Sequence, residues 1–462
     1  MRPAIVWIRR QLRLSDHPAL HHAAQSGAAV IPVFVLDDVL DSTGAAAKLW
    51  LKLSLERYAE QLRALGSRLI LRRGDPQTVL LELARESDAE QVFWTREYHT
   101  AERDKGIKSA LQDAGLEVQS FPGLTLHEPW AIQTGSGGPY KVYTPFWKKL
   151  RTLDIGAQLP APAALTPPET WPTSEVIRAW TLERGMDRVA GIFAARIDPG
   201  EQAAQARLSE FLEQDVAEYP ELRDRPDLGR TSRLSAHLAW GEISAREAYA
   251  AAQQAHLDGN PGAEAWMRQI AWRDFAWQLA FNTPQLLTGN WREEWALFPW
   301  REDNEDAERW RRALTGEPIV DAGMRELYVT GWMHNRVRMI VASYLCKHLQ
   351  THWQVGEAWF ADTLVDFDPA NNAMGWQWVA GSGPDASPYF RVFNPEGQAK
   401  RYDKAGDYQA YWLEGEGAEL WYQTIPRSWG QSPEDARPER LIGLKQGRQR
   451  ALDAYEAFKQ KR

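Results

Sequence analysis

Residues 366–393 read DFDPANNAMGWQWVAGSGPDASPYFRVF, setting two carboxylates, the adjacent carboxamides Asn371 and Asn372 and a Trp-x-Trp pair within positions 366–378. Trp376 and Trp378 are two apart, so on a helix or turn they point to different sides. One indole can then sit inward while the other faces a groove. Upstream, GWMHNRVRMI (Gly331 to Ile340) mixes indole, amide, cation and thioether in the same way. A plain aromatic core has no use for such closely interleaved Asp, Asn and Arg, because each buried polar group needs a partner. A ligand-bearing site is the better reading.

Three further segments carry candidate chemistry. Thr231–Ser235 (TSRLS) gathers three hydroxyls and an arginine after Gly229. It could offer donors to a phosphate near a helix start, although such a segment is more often an ordinary N-cap. Tyr219 and Arg223 could complete an anion pocket. EAWMRQIAWRDF places Trp266, Trp272 and Arg273 on one helix; its bland reading is a helix–helix contact with Arg273 reaching solvent. Asp366 and Asp368 suggest hard oxygen ligands, but the EF-hand pattern fails at its sixth and twelfth positions. The ten histidines form no HExxH, and no pair at that spacing has a fitting partner, so no metal site is expected. There is no GxSxG elbow, and the lone Cys346 lies in an apolar helical run.

The elements that must position these groups follow from composition and periodicity. With 462 residues, 44% hydrophobic and 25% charged, the chain reads as a soluble globular protein of two or three domains. A single cysteine fits a reducing compartment, and the longest apolar run, Ala28–Leu36, is too short to span a membrane. Arg9 and Arg10 precede any signal-type apolar region, so a cytoplasmic protein is expected. The net charge of −8 argues against a generic nucleic-acid coat but not against a local basic groove. Of 23 tryptophans, only Trp7, Trp50, Trp94, Trp130 and Trp147 fall in the first 150 residues.

Short apolar runs at Ala4–Ile8, Ala29–Leu36, Arg68–Leu71, Gln91–Trp94 and Glu117–Gln119 predict strands, with helices such as Ala45–Leu65 and Thr100–Ala114 between them. This is an α/β pattern with a Rossmann-like parallel sheet, but no GxGxxG or Walker motif follows any strand. GSGGP at 135–139 and the Pro-rich 159–172 read as a connector. Beyond it Gln202–Val216, Ser244–His256 and Ala263–Ala280 predict helices. The expected organisation is an α/β domain at 1–128, a linker at 129–200 and a larger all-α domain at 201–462.

The chain resembles the DNA photolyase/cryptochrome family over essentially its whole length, and most resembles bacterial cyclobutane pyrimidine dimer photolyases. The resemblance rests on VWIRRQLRLSDHPAL (6–20), TSRLSAHL (231–238), AWRDF (271–275), TGWMHNRVRM (330–339) and DFDPANNAMGWQW (366–378). It implies a helical domain that binds FAD and repairs DNA containing pyrimidine dimers under light, by electron transfer to a flipped-out lesion. On matching positions Tyr219, Thr231, Ser232, Arg233, Leu234 and Ser235 would hold the diphosphate region. Trp266, Arg273, Asn335, Arg338, Asp366, Phe367, Asp368 and Asn372 would surround the rest of the flavin. Arg338 is expected to pair with Asp366 beside the ring, where reduced flavin carries negative charge. Trp376, Trp353 and Trp300 match a photoreduction relay.

The implied DNA face comprises Arg223, Gln269, Trp272, Arg273, Asn335, Arg336, Met339, Trp378 and Gln398. Trp272 and Trp378 would clamp the extruded pyrimidines, and Arg223 and Arg336 would grip flanking phosphates. Glu102 matches a folate-contacting carboxylate, which makes methenyltetrahydrofolate the first choice of antenna chromophore and a deazaflavin the second. A monomer without membrane association is expected. Departures from the family pattern are Gln269 where many cyclobutane-dimer enzymes carry Glu, Gln11 and His17 where Asp and Asn are common, and Ala101 for a common Asn. Two rival functions fit the same resemblance: a cryptochrome photoreceptor without repair, and a (6-4) photoproduct photolyase. Asn372, where plant cryptochromes usually place Asp, disfavours the first. Asn335 following His334, where the second would need a His pair, disfavours the other.

Overall fold

A computed structural model describes residues 2–186, 189–385 and 390–462; positions 386–389 of the aromatic stretch quoted above lie outside them. Five parallel strands, β1 (Ala4–Ile8), β2 (Val30–Leu36), β3 (Ile70–Arg73), β4 (Gln91–Thr95) and β5 (Glu117–Phe121), form one sheet in the order β3-β2-β1-β4-β5. The central strands β1 and β2 are nearly continuous apolar runs because helices cover both faces of the sheet, whereas the edge strands β3 and β5 carry polar residues. Every residue of β1 and β2 is buried. The crossovers are α1 (Pro18–Gln25), α2 (Ala45–Ala64), α3 (Pro76–Ser87) and α4 (Ala101–Asp113).

β1 lies between β2 and β4, with Ile5 in register with both Ile31 and Val92. In open α/β sheets the carboxyl ends of strands at such a switch point form the usual ligand crevice. Here protein fills part of that position. Arg9 reaches Asp104 at 2.5 Å, Glu97 at 3.2 Å and Thr100 at 2.8 Å, all buried. Arg9 and its neighbours hold Glu97 down to about 2 against its burial, whereas burial dominates at Asp104 and raises it.

The segment after β1 buckles the two halves of the chain together. Arg10 donates to the Phe367 carbonyl, Arg13 to the Gly241 carbonyl, and the Leu14 and Ser15 amides to the Glu201 carboxylate. Gly241 has φ +63°, and a Cβ there would lie 2.2 Å from the Arg10 carbonyl oxygen, so only glycine fits. His17 caps α1 by accepting the Leu20 amide on Nδ1. Burial lowers His17 to about 3, which keeps that nitrogen an acceptor and explains how His serves where Asn is common.

The stretch 129–200 touches both halves. It contains α5 (Tyr143–Leu150), whose Phe146 and Trp147 are buried in the helical core, and then runs back along the sheet domain through the Leu165–Leu65 and Glu175–Leu71 backbone bonds. Beyond it the helices that matter here are α6 (Glu201–Gln214), α7 (Ser235–Ala239), α8 (Ala245–Leu257) and α9 (Ala263–Asn282). They are followed by α10 (Pro318–Thr330), α11 (Asn335–Ser343), α12 (Trp353–Thr363), α13 (Pro369–Ala380), α14 (Pro395–Tyr402) and α15 (Asp407–Leu413). A π-helical turn, Tyr344–His348, continues α11. Most tryptophans are core, among them Trp240, Trp277, Trp310, Trp353 and Trp421 at under 2% exposure.

Candidate functional site

α11 and α13 carry the polar groups singled out in the sequence. Glu326 of α10 accepts the His334 amide, and His334 in turn caps α11 through the Arg336 amide, so the start of α11 is held from below. Asp368 caps α13, accepting the Asn371 amide at 2.9 Å. Between them Arg338 donates to Asp366 at 2.7 Å and to the Met333 carbonyl at 2.8 Å. The Asp366 side chain is almost fully buried, and its other oxygen, Oδ1, has no protein partner. Asn372 donates to the Glu357 carbonyl at 3.1 Å. Burial alone raises the Glu357 carboxyl to about 7.

On α9, Trp266, Gln269 and Arg273 share one face by their three- and four-residue spacings. Trp266 and Tyr219 both pack on Phe211, at 5.0 and 5.5 Å between ring centroids. Two expectations change here. Arg273 was expected on the DNA face as well as at the flavin, but its guanidinium turns inward, donating to the Leu124 and Leu238 carbonyls. Asp368, expected against the flavin ring, accepts Trp277 on one oxygen and Asn371 on the other. The helix start expected for Thr231–Ser235 is a helix of only five residues, too short for an axial dipole to matter.

What that segment offers is loop hydroxyls. Thr231 Oγ1 is buried without a partner, Ser232 is half-buried, and Ser235 accepts the Trp332 indole at 3.3 Å. Arg233 sits at φ +50° with its guanidinium 4.9 Å over Trp332, and Leu234 is anchored in the core. Phe367 is half-buried between the two arginine-bearing segments, its carbonyl taken by Arg10.

Trp272 lies flat against Tyr143, 3.7 Å between centroids and 8° between planes. Trp378 donates to the Asp385 carbonyl at 3.1 Å. The Asp385 carboxyl, raised by burial, also accepts the Tyr143 amide, so the two indoles are tied through one pair of residues. Asn335 is exposed, within 4.0 Å of the Met339 sulfur. Gln398 on α14 keeps a buried, unpartnered Oε1, and Gln269 is half-buried. Arg223 lies 5.6 Å over Tyr219, and Arg336 is held by Asp224.

The three tryptophans expected to form a relay are spread across α12 and α13 and the loop before them. Trp376 packs edge-on against Phe360 at 4.9 Å and leans on Gly356. Trp353 donates to Asn290 at 2.9 Å. His352 lies between Trp353 and Trp300, 5.6 and 5.4 Å from their centroids, and burial lowers its pKa. Trp376 Nε1 and Trp300 Nε1 have no protein partner. Sequence reasoning missed His352, Tyr143 and Lys347. Tyr143 was read as part of a linker, although YTPFWKKL is an amphipathic run. Lys347 is buried on the π-helical turn, bonded to the Ala380 carbonyl and 3.5 Å over Phe390, and burial lowers it to about 7.

Glu102 is highly exposed and pairs with Lys105. Among the described residues no cluster of His, Cys, Asp or Glu could hold a metal ion, and no helix is long and apolar enough to cross a membrane.

Residues 4–166 match the family model described as DNA photolyase, and residues 266–457 match the FAD binding domain of DNA photolyase. A deoxyribodipyrimidine photo-lyase of Agrobacterium fabrum is 43% identical, with 99% of this chain and 98% of that protein aligned. Cryptochrome-2 of Arabidopsis thaliana is 34% identical over 94% of this chain and 72% of its own length. The crystal structure of a bacterial class III photolyase from Agrobacterium tumefaciens superposes with a TM-score of 0.91 at 42% identity, covering 100% of this chain and 98% of that one.

Proposed function

The chain belongs to the DNA photolyase family, and from that premise we propose that it is a deoxyribodipyrimidine photo-lyase which reverses cyclobutane pyrimidine dimers in DNA under light. The observation that carries the reading is the braced pair of indoles. Trp272 has one face covered by Tyr143, and Trp378 is fixed through Asp385 to the same tyrosine; the opposite face of Trp272 would take a base. An aromatic platform contributes roughly 1–3 kcal/mol per stacked base, and bracing cuts the ordering cost of using it.

The residues present fit FAD. Thr231 Oγ1 and Asp366 Oδ1 are buried polar atoms that lack a protein partner, and Arg338, bonded to Asp366, supplies a cation. Tyr219 and Thr231–Ser235 would hold the diphosphate, with Trp266, Arg273, Arg338, Asp366, Phe367 and Asn372 around the ring system. Bound in reduced form, FAD would supply light-driven electron transfer to the lesion, with the electron returned once the cyclobutane ring has opened. Arg338, fixed by Asp366, keeps a positive charge where that cofactor is most anionic. Asn372, oriented by the Glu357 carbonyl, offers an amide where a carboxylic acid would offer a proton. Trp376, Trp353 and Trp300 would connect the site to the surface.

Asn335, Met339, Gln269 and Gln398 would meet the extruded bases, and Arg223 and Arg336 the flanking phosphates. The antenna is proposed to be methenyltetrahydrofolate near Glu102, with a deazaflavin second. The domain division at 128 and 200, the monomeric state and the cytoplasmic location are proposed with it. The 34% identity to cryptochrome-2 supports one rival, a photoreceptor without repair. Blue-light illumination of the FAD-loaded protein with oligonucleotides carrying either lesion separates the readings. Repair of cyclobutane dimers is expected; repair of only the (6-4) lesion, or of neither, refutes the proposal.

A further inference from the structure

Two arginines assigned to the DNA backbone share one carboxylate. Arg336 Nη2 donates to Asp224 Oδ2 at 2.7 Å, and Arg223 Nε lies 4.0 Å from Asp224 Oδ1. Arg336 also rests 4.3 Å over the ring of Tyr402, which extends from α14 one turn beyond Gln398. Its Nε is buried without a partner. A cation over a ring face is held by its distance to the centroid, so a small shift of the Arg336 side chain can redirect its N–H groups and keep Tyr402. What it gives up on turning is Asp224. Carboxylate and phosphate present a guanidinium with the same kind of anionic acceptor. The Arg336 and Asp224 side chains keep 15% and 28% exposure, so this pair is weak enough to exchange, unlike one sealed in the core.

We propose that Asp224 stands in for a DNA phosphate and is a specificity-determining residue: it keeps Arg336 from the backbone of undamaged duplex and releases it only to the lesion complex. The inference rests on the DNA-face reading above. Non-specific binding depends almost wholly on the number of phosphates neutralised, so withholding one arginine from straight duplex weakens that mode selectively. At a dimer, the extruded bases occupy the indole platform. That binding energy drives the exchange of Asp224 for a flanking phosphate, and Arg336 then counts as a contact. Tyr402 is the pivot in both states.

The test is the salt dependence of affinity for undamaged and dimer-bearing duplexes, measured with FAD-loaded wild type, Asp224→Asn, Arg336→Ala and the double variant. Asp224→Ser serves as a second neutral substitution if the amide misfolds. With about −0.9 in slope per phosphate contact, Asp224→Asn should steepen the undamaged-duplex slope by one contact. Its ratio of Kd at 200 mM to Kd at 50 mM salt should then exceed that of wild type by about 3.5-fold. The lesion slope should stay unchanged, and in the Arg336→Ala background Asp224→Asn should alter neither slope. Equal steepening for both duplexes would show general repulsion, and steepening that persists without Arg336 would show general repulsion or release of Arg223; either overturns the inference. If Arg336→Ala flattens the lesion slope while Asp224→Asn changes nothing, the DNA-face reading stands and the inference fails. If Arg336→Ala leaves the lesion slope intact, Arg336 is not on the DNA face and both fall.

Discussion

Gly356→Ala tests the packing under the relay with a single methyl group. A Cβ at residue 356 would lie 2.1 Å from Cη2 of Trp376, 2.5 Å from its Cζ3 and 2.7 Å from Leu345 Cδ2. Carbon atoms pack at about 3.5–4.0 Å, so the indole must retreat by roughly 1.4 Å or more. Trp376 is 3% exposed and wedged against Phe360 and Trp310, which leaves it nowhere to retreat without disturbing them. Overpacking of this kind costs about 1–3 kcal/mol. At about 2.1 cal/mol/K of unfolding entropy per residue, a chain of this length should lose about 1–3 °C in Tm. Gly375→Ala is the matched control, since a Cβ there meets nothing within 4 Å and the position lies inside α13 next to Trp376. It should gain about 0.4–1 kcal/mol. Illumination of oxidised, FAD-loaded protein should show slowed flavin bleaching in Gly356→Ala and a wild-type rate in Gly375→Ala. If Gly356→Ala melts and bleaches like wild type, Trp376 is not confined as described and its relay role loses its structural support.

Trp376→Phe should block photoreduction yet spare repair once flavin is reduced chemically, whereas Trp378→Ala should weaken lesion binding and leave photoreduction intact; absorbance under light and a repair assay separate the two. Burial raises Glu326 to about 7, so its folded pKa lies above the unfolded one and stability should fall as pH rises from about 4.5 to 7, by at most about 3.4 kcal/mol. Glu326→Gln keeps acceptors for Tyr408 and His334 and should flatten that part of a Tm–pH profile. Lys347 is lowered to about 7, so its contribution to stability should rise with pH from about 7 towards 10.5, and Lys347→Met should remove that rise. Gln269→Glu should retain dimer repair and raise its quantum yield, because an acid can stabilise negative charge on the lesion better than an amide; a lower yield would place residue 269 away from the substrate.

The strands and long helices were legible because their signals are local. All five strands fall within one or two residues of the apolar runs, and α2, α4 and α9 begin where helix periodicity begins. The Arg338–Asp366 pair was also readable, but only through the resemblance, since 28 residues separate the partners and no periodicity links them. The errors came from groups whose role depends on distant backbone. Arg273 looks solvent-directed on a helical wheel; its real partners are carbonyls at residues 124 and 238. No spacing in the sequence announces that Trp277, 91 positions earlier, bonds one oxygen of Asp368. Tyr143 was hidden by glycine- and proline-rich neighbours that made its helix read as linker.

The buckle after β1 sets an order of events during synthesis. Arg10 and Arg13 leave the ribosome well before the carbonyls that receive them, which belong to residues 367 and 241. At about 5–20 residues per second, Arg10 waits roughly 20–70 s for the chain that carries Phe367, 357 residues later. For that time the Arg10 guanidinium, destined for burial, faces solvent and chaperones. The sheet domain expressed alone would remain in that waiting state permanently, so its solubility as a fragment should be poor and should recover when residues 201–462 are supplied in trans.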